Sequence, residues 1–367
     1  TPLYPPEIRA NSVKAPRGRL AFRAVYKLWL RLRQYLGRES VGSWLTPMLL
    51  VFSLTAFQLA GAFTIPDGRL FDAATTRFAG STPKVVLIEQ GAGFGEGQSH
   101  DFAKLEAGLV ALGVDRIGYL GERPLVLGGP RSADVPIVLG LPAEPIPASE
   151  ALRLVGGVVS GTTGAARSLP QSQYGIYRSQ QASLAGEPGR IPTFATALAG
   201  REPEDSAFLV QMPRAQSIPS FTAEQIVEGQ LEPGELTGLV AIIADPDALK
   251  PSLATPLSPD TNGMSEAQFR AFVAHNLISG HEIYVAPPWE VALLMIIAGL
   301  VLALVFSRID PKRFAVILPL GFSAMVLVGA WAALLYANKL LPVTALLLSF
   351  WIITFHRVLL RERHQDM

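Results

Sequence analysis

Alternating glycines are the first pattern in this sequence that could serve chemistry. Gly91, Gly93, Gly95 and Gly97 follow a β-branched run and precede a helical pattern, as the phosphate-binding loop of a dinucleotide fold does. That loop needs a further glycine three positions after its second one, and Glu96 stands there instead. The spacing therefore predicts an ordinary loop and no bound cofactor.

The histidines are spaced too irregularly to form a metal site. They are His100, His275, His281, His356 and His364. No pair has the spacing of a helical zinc site, and no acid joins them in a ligand pattern. The chain has no cysteine, which excludes disulfides, thiolate catalysis and cysteine zinc sites. We predict no metal, and we place His275 on the solvent-facing or partner-facing edge of its helix.

Catalysis and transport lack a recognisable set of residues. No G-x-S-x-G elbow appears, and no paired carboxylates stand in a known frame. The apolar segments carry no clear ionisable residue of the kind that transporters hold at the membrane centre. Glu290 lies at the edge of such a segment, where a carboxylate favours a helix N-terminus. The sequence therefore predicts neither an enzyme nor a transporter.

The composition indicates a membrane protein. Hydrophobic residues make up 49% of the 367 positions, charged residues 17%, and the mean hydropathy is +0.32. A helix of about 20 apolar residues crosses a bilayer core of ~30 Å. We predict four transmembrane helices, at 43–63, 288–307, 314–336 and 340–356.

The charged flanks of these segments predict an orientation. Segment 1–42 is rich in Arg and Lys, as are the loop at 308–313 and the tail at 357–367, whereas the turn at 337–342 carries Lys339 alone. Cytoplasmic flanks carry an excess of Arg and Lys. Both termini are therefore expected in the cytoplasm and residues 64–287 outside it.

Segment 1–42 also contains a pattern for a surface helix. Residues 18–36 have apolar positions at helical spacing, with a basic opposite face. Such a helix either lies on the anionic inner leaflet or docks on a protein partner, and the sequence leaves both open. The candidate residues for binding lipid or partner are Arg17, Arg19, Arg23, Lys27, Arg31, Arg33 and Arg38.

Residues 64–287 have the texture of a folded α/β domain. Strands are predicted at 84–89, 114–120, 136–141, 207–212 and 239–244, the last as a central strand. A helix from Phe102 to Leu112, stopped by Gly113, joins the first two strands, which predicts that they are parallel. Long surface loops are expected between Gly121 and Gly189. The predicted fold is four transmembrane α-helices plus an extracytoplasmic α/β domain with a mixed, largely parallel sheet.

The clearest helix of the domain is predicted at 266–279. Ser265 and Gln268 form the pattern of a capping box, and Gly280 suits the left-handed residue that ends a helix.

The layout of one helix, an α/β domain and three helices resembles the CHASE type 2 sensory domain family. Phe71-Asp72 with Arg77 is similar to the family's opening segment, and Tyr174-Gly-Ile-Tyr-Arg178 to its Asp-Gly-x-x-Arg turn. Four longer stretches also resemble it: 83–89, 191–199, 236–257 with Thr255-Pro256, and 271–280. The resemblance implies an extracytoplasmic input domain in a bacterial inner membrane, facing the periplasm or the exterior.

This chain departs from the family pattern at positions expected to line a ligand site. Glu89-Gln90 replaces an acidic pair, Tyr174 replaces an acid, and no cyclase or kinase segment follows the last helix before Met367. A signal would then need a separate output protein.

Two functions remain open from the sequence. One is a non-enzymatic sensory or interaction module that passes a signal or contact to partner proteins. The alternative is a scaffold or accessory subunit of a larger membrane complex. Gly329 and Ala333, a small-x-x-x-small pair, predict close helix packing within the bundle or to a partner. We predict membrane lipids and other membrane subunits as partners, and no nucleic acid.

Overall fold

The fold is an α/β domain with a parallel sheet, joined to a group of apolar helices. The computed structural model describes residues 39–91, 99–121, 135–141, 162–167, 171–173, 176–185, 190–202, 204–258, 263–308 and 316–365. The basic segment with its candidate residues Arg17 to Arg38 lies outside the described residues, and so do Tyr174 and positions 93–97 of the glycine loop.

The main sheet contains β1 (Val85–Glu89), β2 (Arg116–Leu120), β3 (Ile137–Leu141), β4 (Thr162–Ala166), β10 (Ser220–Thr222) and β11 (Val240–Ala244). Its strand order is β10-β1-β11-β2-β3-β4, and every pairing in it is parallel. The four predicted strands at 84–89, 114–120, 136–141 and 239–244 are confirmed. Helix α3 (Ser99–Ala111) joins β1 to β2 as predicted, and β11 inserts between these two strands.

The central position of β11 explains its sequence. All five of its residues are buried, because helices cover both faces of the sheet. Ala241 and Ile243 face α3 and α5 (Ala223–Val227). Ile242 and Ala244 face α4 (Phe194–Leu198) and α6 (Glu266–Ser279).

Helix α6 begins and ends where the sequence predicts. The Ser265 and Gln268 side chains each accept a hydrogen bond from the other residue's backbone N–H, and Gly280 has φ +69°. The prediction for His275 is wrong, because its side chain is buried against the segment that leads into β1. The apolar positions of α6 predict only one buried face, whereas the polar residues Arg270, His275 and Asn276 of the same helix are buried as well.

Small sheets occupy regions where the sequence predicts loops, and the strand predicted at 207–212 ends at Leu209 and belongs to one of them. They are formed by β5 (Gln171–Gln173), β6 (Ile176–Gln181) and β9 (Ala207–Leu209), by β7 (Ser183–Ala185) and β8 (Arg190–Pro192), and by β12 (Pro251–Leu253) and β13 (Met264–Ser265). Between Gly121 and Gly189, the prediction of long surface loops is therefore wrong for β4 to β7. Ala165 and Ala166 of β4 are buried although the strand is too small and polar to show an apolar pattern.

The apolar helices are α1 (Glu39–Leu59), α7 (Pro288–Arg308), α8 (Ile317–Ala337) and α9 (Thr344–Gln365). Helix α2 (Thr64–Thr75), which the sequence does not predict, follows α1 after a bend of 74°. Strands β14 (Tyr284–Val285) and β15 (Lys339–Leu340) pair in parallel beside the ends of α7 and α8.

One helix of the described residues, α8, is long and apolar enough by itself to cross a membrane. Met48–Leu59 and Thr64–Thr75 meet the same criterion only as a bent pair, and Pro288–Val301 and Thr344–His356 are shorter apolar helices.

Candidate functional site at the junction of domain and helices

Helix α2 lies at the junction between the α/β domain and the apolar helices, and its buried polar side chains make their hydrogen bonds there. Helix α2 lies between the end of α1, the start of α9 and strand β6. Its buried residues include Asp67, Gly68 and Phe71. The chain thus places two carboxylates, Asp67 and Asp72, on a helix that contacts both parts of the molecule.

Asp72 and Arg178 form a two-pronged ion pair between α2 and β6. The Arg178 Nε atom donates to Asp72 Oδ1 at 2.8 Å, and an Arg178 Nη atom donates to Oδ2 at 2.6 Å. The Arg178 side chain is 6% exposed and that of Asp72 is 17% exposed. A bidentate guanidinium–carboxylate pair fixes orientation as well as distance. This pair, here called the clamp, therefore fixes α2 against the small sheet of the domain.

Gly68 makes room for the clamp. A methyl group added at Gly68 would lie 3.5 Å from Arg178 Cζ, which is ordinary van der Waals contact. The guanidinium thus lies directly over the backbone of α2, one turn before Asp72. A longer side chain at position 68 would displace the guanidinium or fill the space beside it.

Asp67 joins three helices at a second point. Its Oδ2 accepts from Gln58 Nε2 at 2.7 Å, and its Oδ1 accepts from the Thr344 backbone N–H at 3.1 Å and the Thr344 hydroxyl at 2.6 Å. The side-chain oxygen of Gln58 accepts from the Ala345 N–H at 3.3 Å. A carboxylate at a helix N-terminus is stabilised by the free N–H groups and by the helix dipole. Asp67 therefore caps α9 from another part of the chain.

A third link connects the turn after α8 to the end of α6 and to the start of α7. Asn338, with φ 49°, donates from Nδ2 to the Gly280 carbonyl oxygen at 2.9 Å. The Lys339 ammonium lies 2.8 Å from the Glu290 carboxylate. The sequence predicts Glu290 only as a charge at a helix start. The structure adds that Glu290 pairs with the short connection between α8 and α9.

A cavity of about 260 Å³ lies inside this junction. Its walls come from the ends of α1, α7 and α9, from α2, and from Leu209 and Arg178 of the domain. Most of the lining side chains are apolar. The polar ones belong mainly to the clamp and to the Asp67 group, where they already bind each other.

A serine–histidine contact lies beside a second cavity of about 180 Å³, close to the end of α8. His275 Nε2 is 2.9 Å from Ser81 Oγ, a distance that suits a nucleophile and its base. However, His275 Nδ1 accepts from the Lys84 backbone N–H, so the proton of the neutral ring is on Nε2. Nε2 then donates to Ser81 and cannot take its proton.

Burial keeps this ring neutral. Burial first, and then the charges of His281 and Lys84, lower the pKa of His275 from 6.5 to about 4. The contact is therefore a structural hydrogen bond, and Ser81 is not activated. Among the residues that the structure describes, no group of histidines and acids is arranged to hold a metal ion.

A buried ion group lies at the carboxyl ends of the parallel strands, where α/β folds bind ligands. Glu266 accepts from Arg167 at 2.9 Å and from Arg270 at 3.3 Å, and Arg167 also donates to the Gly121 carbonyl oxygen. Burial alone would raise the pKa of Glu266, but its two arginine partners lower it below the usual value. This group joins the start of α6 to the ends of β2 and β4.

The sequence does not single out either clamp residue or show that the two touch. Asp72 and Arg178 each belong to a quoted motif, yet they lie far apart in the chain. Gln58 gives a weaker signal, as the one amide in the apolar run from Trp44 to Phe63. The role of Asp67 leaves no pattern in the sequence, because its partner Thr344 comes from the last helix.

Comparisons with family models, curated proteins and solved structures find no match to this chain. The similarity to the CHASE type 2 family therefore stays a prediction from the residues quoted above.

Proposed function

We propose that this protein is a non-enzymatic integral membrane protein whose extracytoplasmic, CHASE-type-2-like domain passes a signal or contact to partner proteins. The observation that carries the proposal is the junction. The clamp joins the domain to α2, and Asp67 of the same helix caps α9. A movement of β6 would therefore reach the last helix through one rigid element.

The distribution of exposed apolar side chains supports the membrane placement. Among the described residues, every large apolar side chain that is strongly exposed lies before Phe71 or after Tyr284. Val328 is 69% exposed and Phe355 is 60% exposed. Soluble proteins rarely expose contiguous apolar surfaces of this kind. We place α1, α7, α8 and α9 across the bilayer as four spans, with both termini in the cytoplasm.

The polar contacts of the junction agree with this placement. Gln58, Lys339 and Thr344 lie at the ends of α1, α8 and α9 that face the domain. Polar groups at membrane depth need internal partners, and these groups have them. In the proposed orientation, the junction lies at the outer surface of the bilayer.

Cysteine labelling tests this topology cleanly, because the chain has no cysteine of its own. Asp205→Cys places a thiol on a residue whose side chain is 81% exposed in the domain. A membrane-impermeant maleimide should label it in intact spheroplasts. The matched variant His364→Cys, in the tail, should react only after lysis. Labelling of His364→Cys in intact spheroplasts, with Asp205→Cys protected, would overturn the orientation.

A scaffold or accessory subunit is the second candidate, and the surface of α8 favours it. Helix α8 packs mainly against α9 and is otherwise largely exposed. A methyl group added at Gly329 would have no atom within 4 Å. Gly329, the first residue of the small-residue pair, is therefore open to a helix of another protein, and Ala333 is only partly buried.

Purification in mild detergent separates the two candidates. Stoichiometric co-purification with integral subunits, lost in Gly329→Leu, would favour the scaffold. A preparation that is monodisperse and free of other subunits would favour the sensory module. Met325→Leu is the matched control, because it changes another exposed position of α8 and keeps the bulk of the side chain.

A further inference from the structure

We propose that the junction cavity binds the hydrocarbon chain of an outer-leaflet membrane lipid. The inference rests on the proposed membrane placement and gives the junction a ligand. Its basis is a cavity with apolar walls that lies where three apolar helices end.

The walls of the cavity select for hydrocarbon. Leu59, Phe71 and Leu340 line it, and most of the other lining side chains are apolar as well. The polar side chains in the wall already make hydrogen bonds within the protein, so they offer few hydrogen-bonding groups to a ligand. Both oxygens of Asp67 accept hydrogen bonds, from Gln58 and from Thr344.

The polar groups thus favour an apolar occupant over a charged one. A charged or strongly hydrogen-bonding ligand would lose water on entry, and the occupied groups would not replace those hydrogen bonds. A hydrocarbon chain has no such cost and gains from leaving contact with water.

The position of the cavity indicates where its lipid would come from. Leu59, Pro288 and Pro342 line it: Leu59 ends α1, Pro288 begins α7, and Pro342 lies just before α9. Two exposed apolar side chains stand at the same level, Trp289 at 65% and Val285 at 49% exposure. In the proposed orientation, these ends meet the outer leaflet, so a lipid chain reaches the cavity without crossing the domain.

The size of the cavity limits what enters. Drug-sized ligand pockets are roughly 300–1,000 Å³, and this cavity of about 260 Å³ lies just below that range. It therefore takes the end of one chain and not a whole lipid. Occupancy would press on Phe71 and Arg178, which connects lipid binding to the clamp.

Photo-cross-linking in vesicles tests the inference. The probe is a phosphatidylglycerol with a diazirine at the end of one acyl chain, in phosphatidylethanolamine vesicles. After illumination, mass spectrometry should find the probe on Phe71 or Leu209, which belong to the junction and the domain, and on Val328 of α8.

Filling the cavity gives the matched comparison. Val291→Phe adds bulk at a buried lining position, whereas Val301→Phe adds the same bulk at an exposed position of the same helix. Val291→Phe should lower the cross-linking of Leu209 roughly tenfold, which corresponds to about two methylene groups kept out of the cavity. Val301→Phe should leave it unchanged. If Val291→Phe fails to fold, Ala286→Leu adds bulk at another buried lining position outside the clamp and should give the same loss.

The cross-linking results distinguish the lipid site from the membrane placement on which it rests. Cross-links on Val328 with none on Phe71 or Leu209 would overturn the lipid site and leave the membrane placement standing. Cross-linking of Leu209 that persists in a folded variant with a filled cavity would also overturn the site. Absence of cross-links on Val328 as well would reject the membrane placement, and the lipid site with it.

Discussion

Replacing Asp72 with asparagine should weaken the connection between the domain and the helices. The amide keeps the shape of the side chain but leaves the Arg178 guanidinium without its carboxylate. Breaking a buried ion pair from one side costs about 3–5 kcal/mol. The Asp72 side chain is 17% exposed, so water partly compensates, and we expect a loss of about 2–3 kcal/mol.

A urea titration in mild detergent, followed by far-UV circular dichroism, measures this loss as a lower midpoint. Asp205→Asn is the matched control, since Asp205 pairs with Arg190 at the surface, where the side chains are 81% and 37% exposed. It should change the free energy of unfolding by less than about 1 kcal/mol. Arg178→Lys should lose almost as much as Asp72→Asn, because an ammonium cannot bind both oxygens in the same way.

A double-mutant cycle isolates the clamp itself. Arg178→Met with Asp72→Leu removes both charges, so the pair should lose at least about 1.5 kcal/mol less than the two single changes added together. Additive losses within about 0.5 kcal/mol would refute the clamp as an interaction.

Acid, a lost helix cap and an added methyl group should each destabilise the fold in a distinct way. The pKa of His275 is about 4 in the folded state and 6.5 when unperturbed, so its stabilisation is complete above pH 6.5 and is lost as pH falls toward 4. The free energy of unfolding from urea titrations should fall by up to about 3 kcal/mol over that range, and His275→Gln should remove most of this pH dependence. Asp67→Ala should cost about 1–2 kcal/mol in thermal unfolding, because α9 loses its cap, and restoring an acid as Asp67→Glu should recover part of it. Gly113→Ala should cost clearly more than Gly229→Ala in the same assay: both residues have positive φ, but only the methyl group at position 113 would meet another atom, at 2.6 Å.

Local patterns in the sequence predict the centre of the domain well. The apolar runs of β1 and β11 correctly predict strands that are buried on both faces. The Ser265 capping box and Gly280 correctly predict where α6 begins and ends. These features depend on residues close together in the sequence, so they can be predicted from it. Strand β4 is missed because its Thr, Gly and Ala residues pair with β3 without showing an apolar pattern.

The candidate site depends on contacts between distant parts of the chain. Asp67 has the pattern of a Pro-Asp-Gly turn, and only the fold brings it to Thr344. His275 has the pattern of an exposed polar residue, yet the segment before β1 covers it. The apolar runs predict helices near the positions of α1, α7, α8 and α9, but they do not predict the bend after α1 or helix α2, whose buried contacts are with distant segments.

Hydrogen exchange at the start of α9 tests the central claim most directly, which is that α2 transmits the state of the domain to the helices. The protein is compared in lipid nanodiscs with Asp72→Asn and with the surface control Asp205→Asn. Asp72→Asn should speed exchange at the Thr344 amide about tenfold for each 1.4 kcal/mol of local stability lost, although Asp72 does not bind Thr344. The control should match the unmodified protein. Faster exchange confined to β6 and α2, with Thr344 unchanged, would contradict the account.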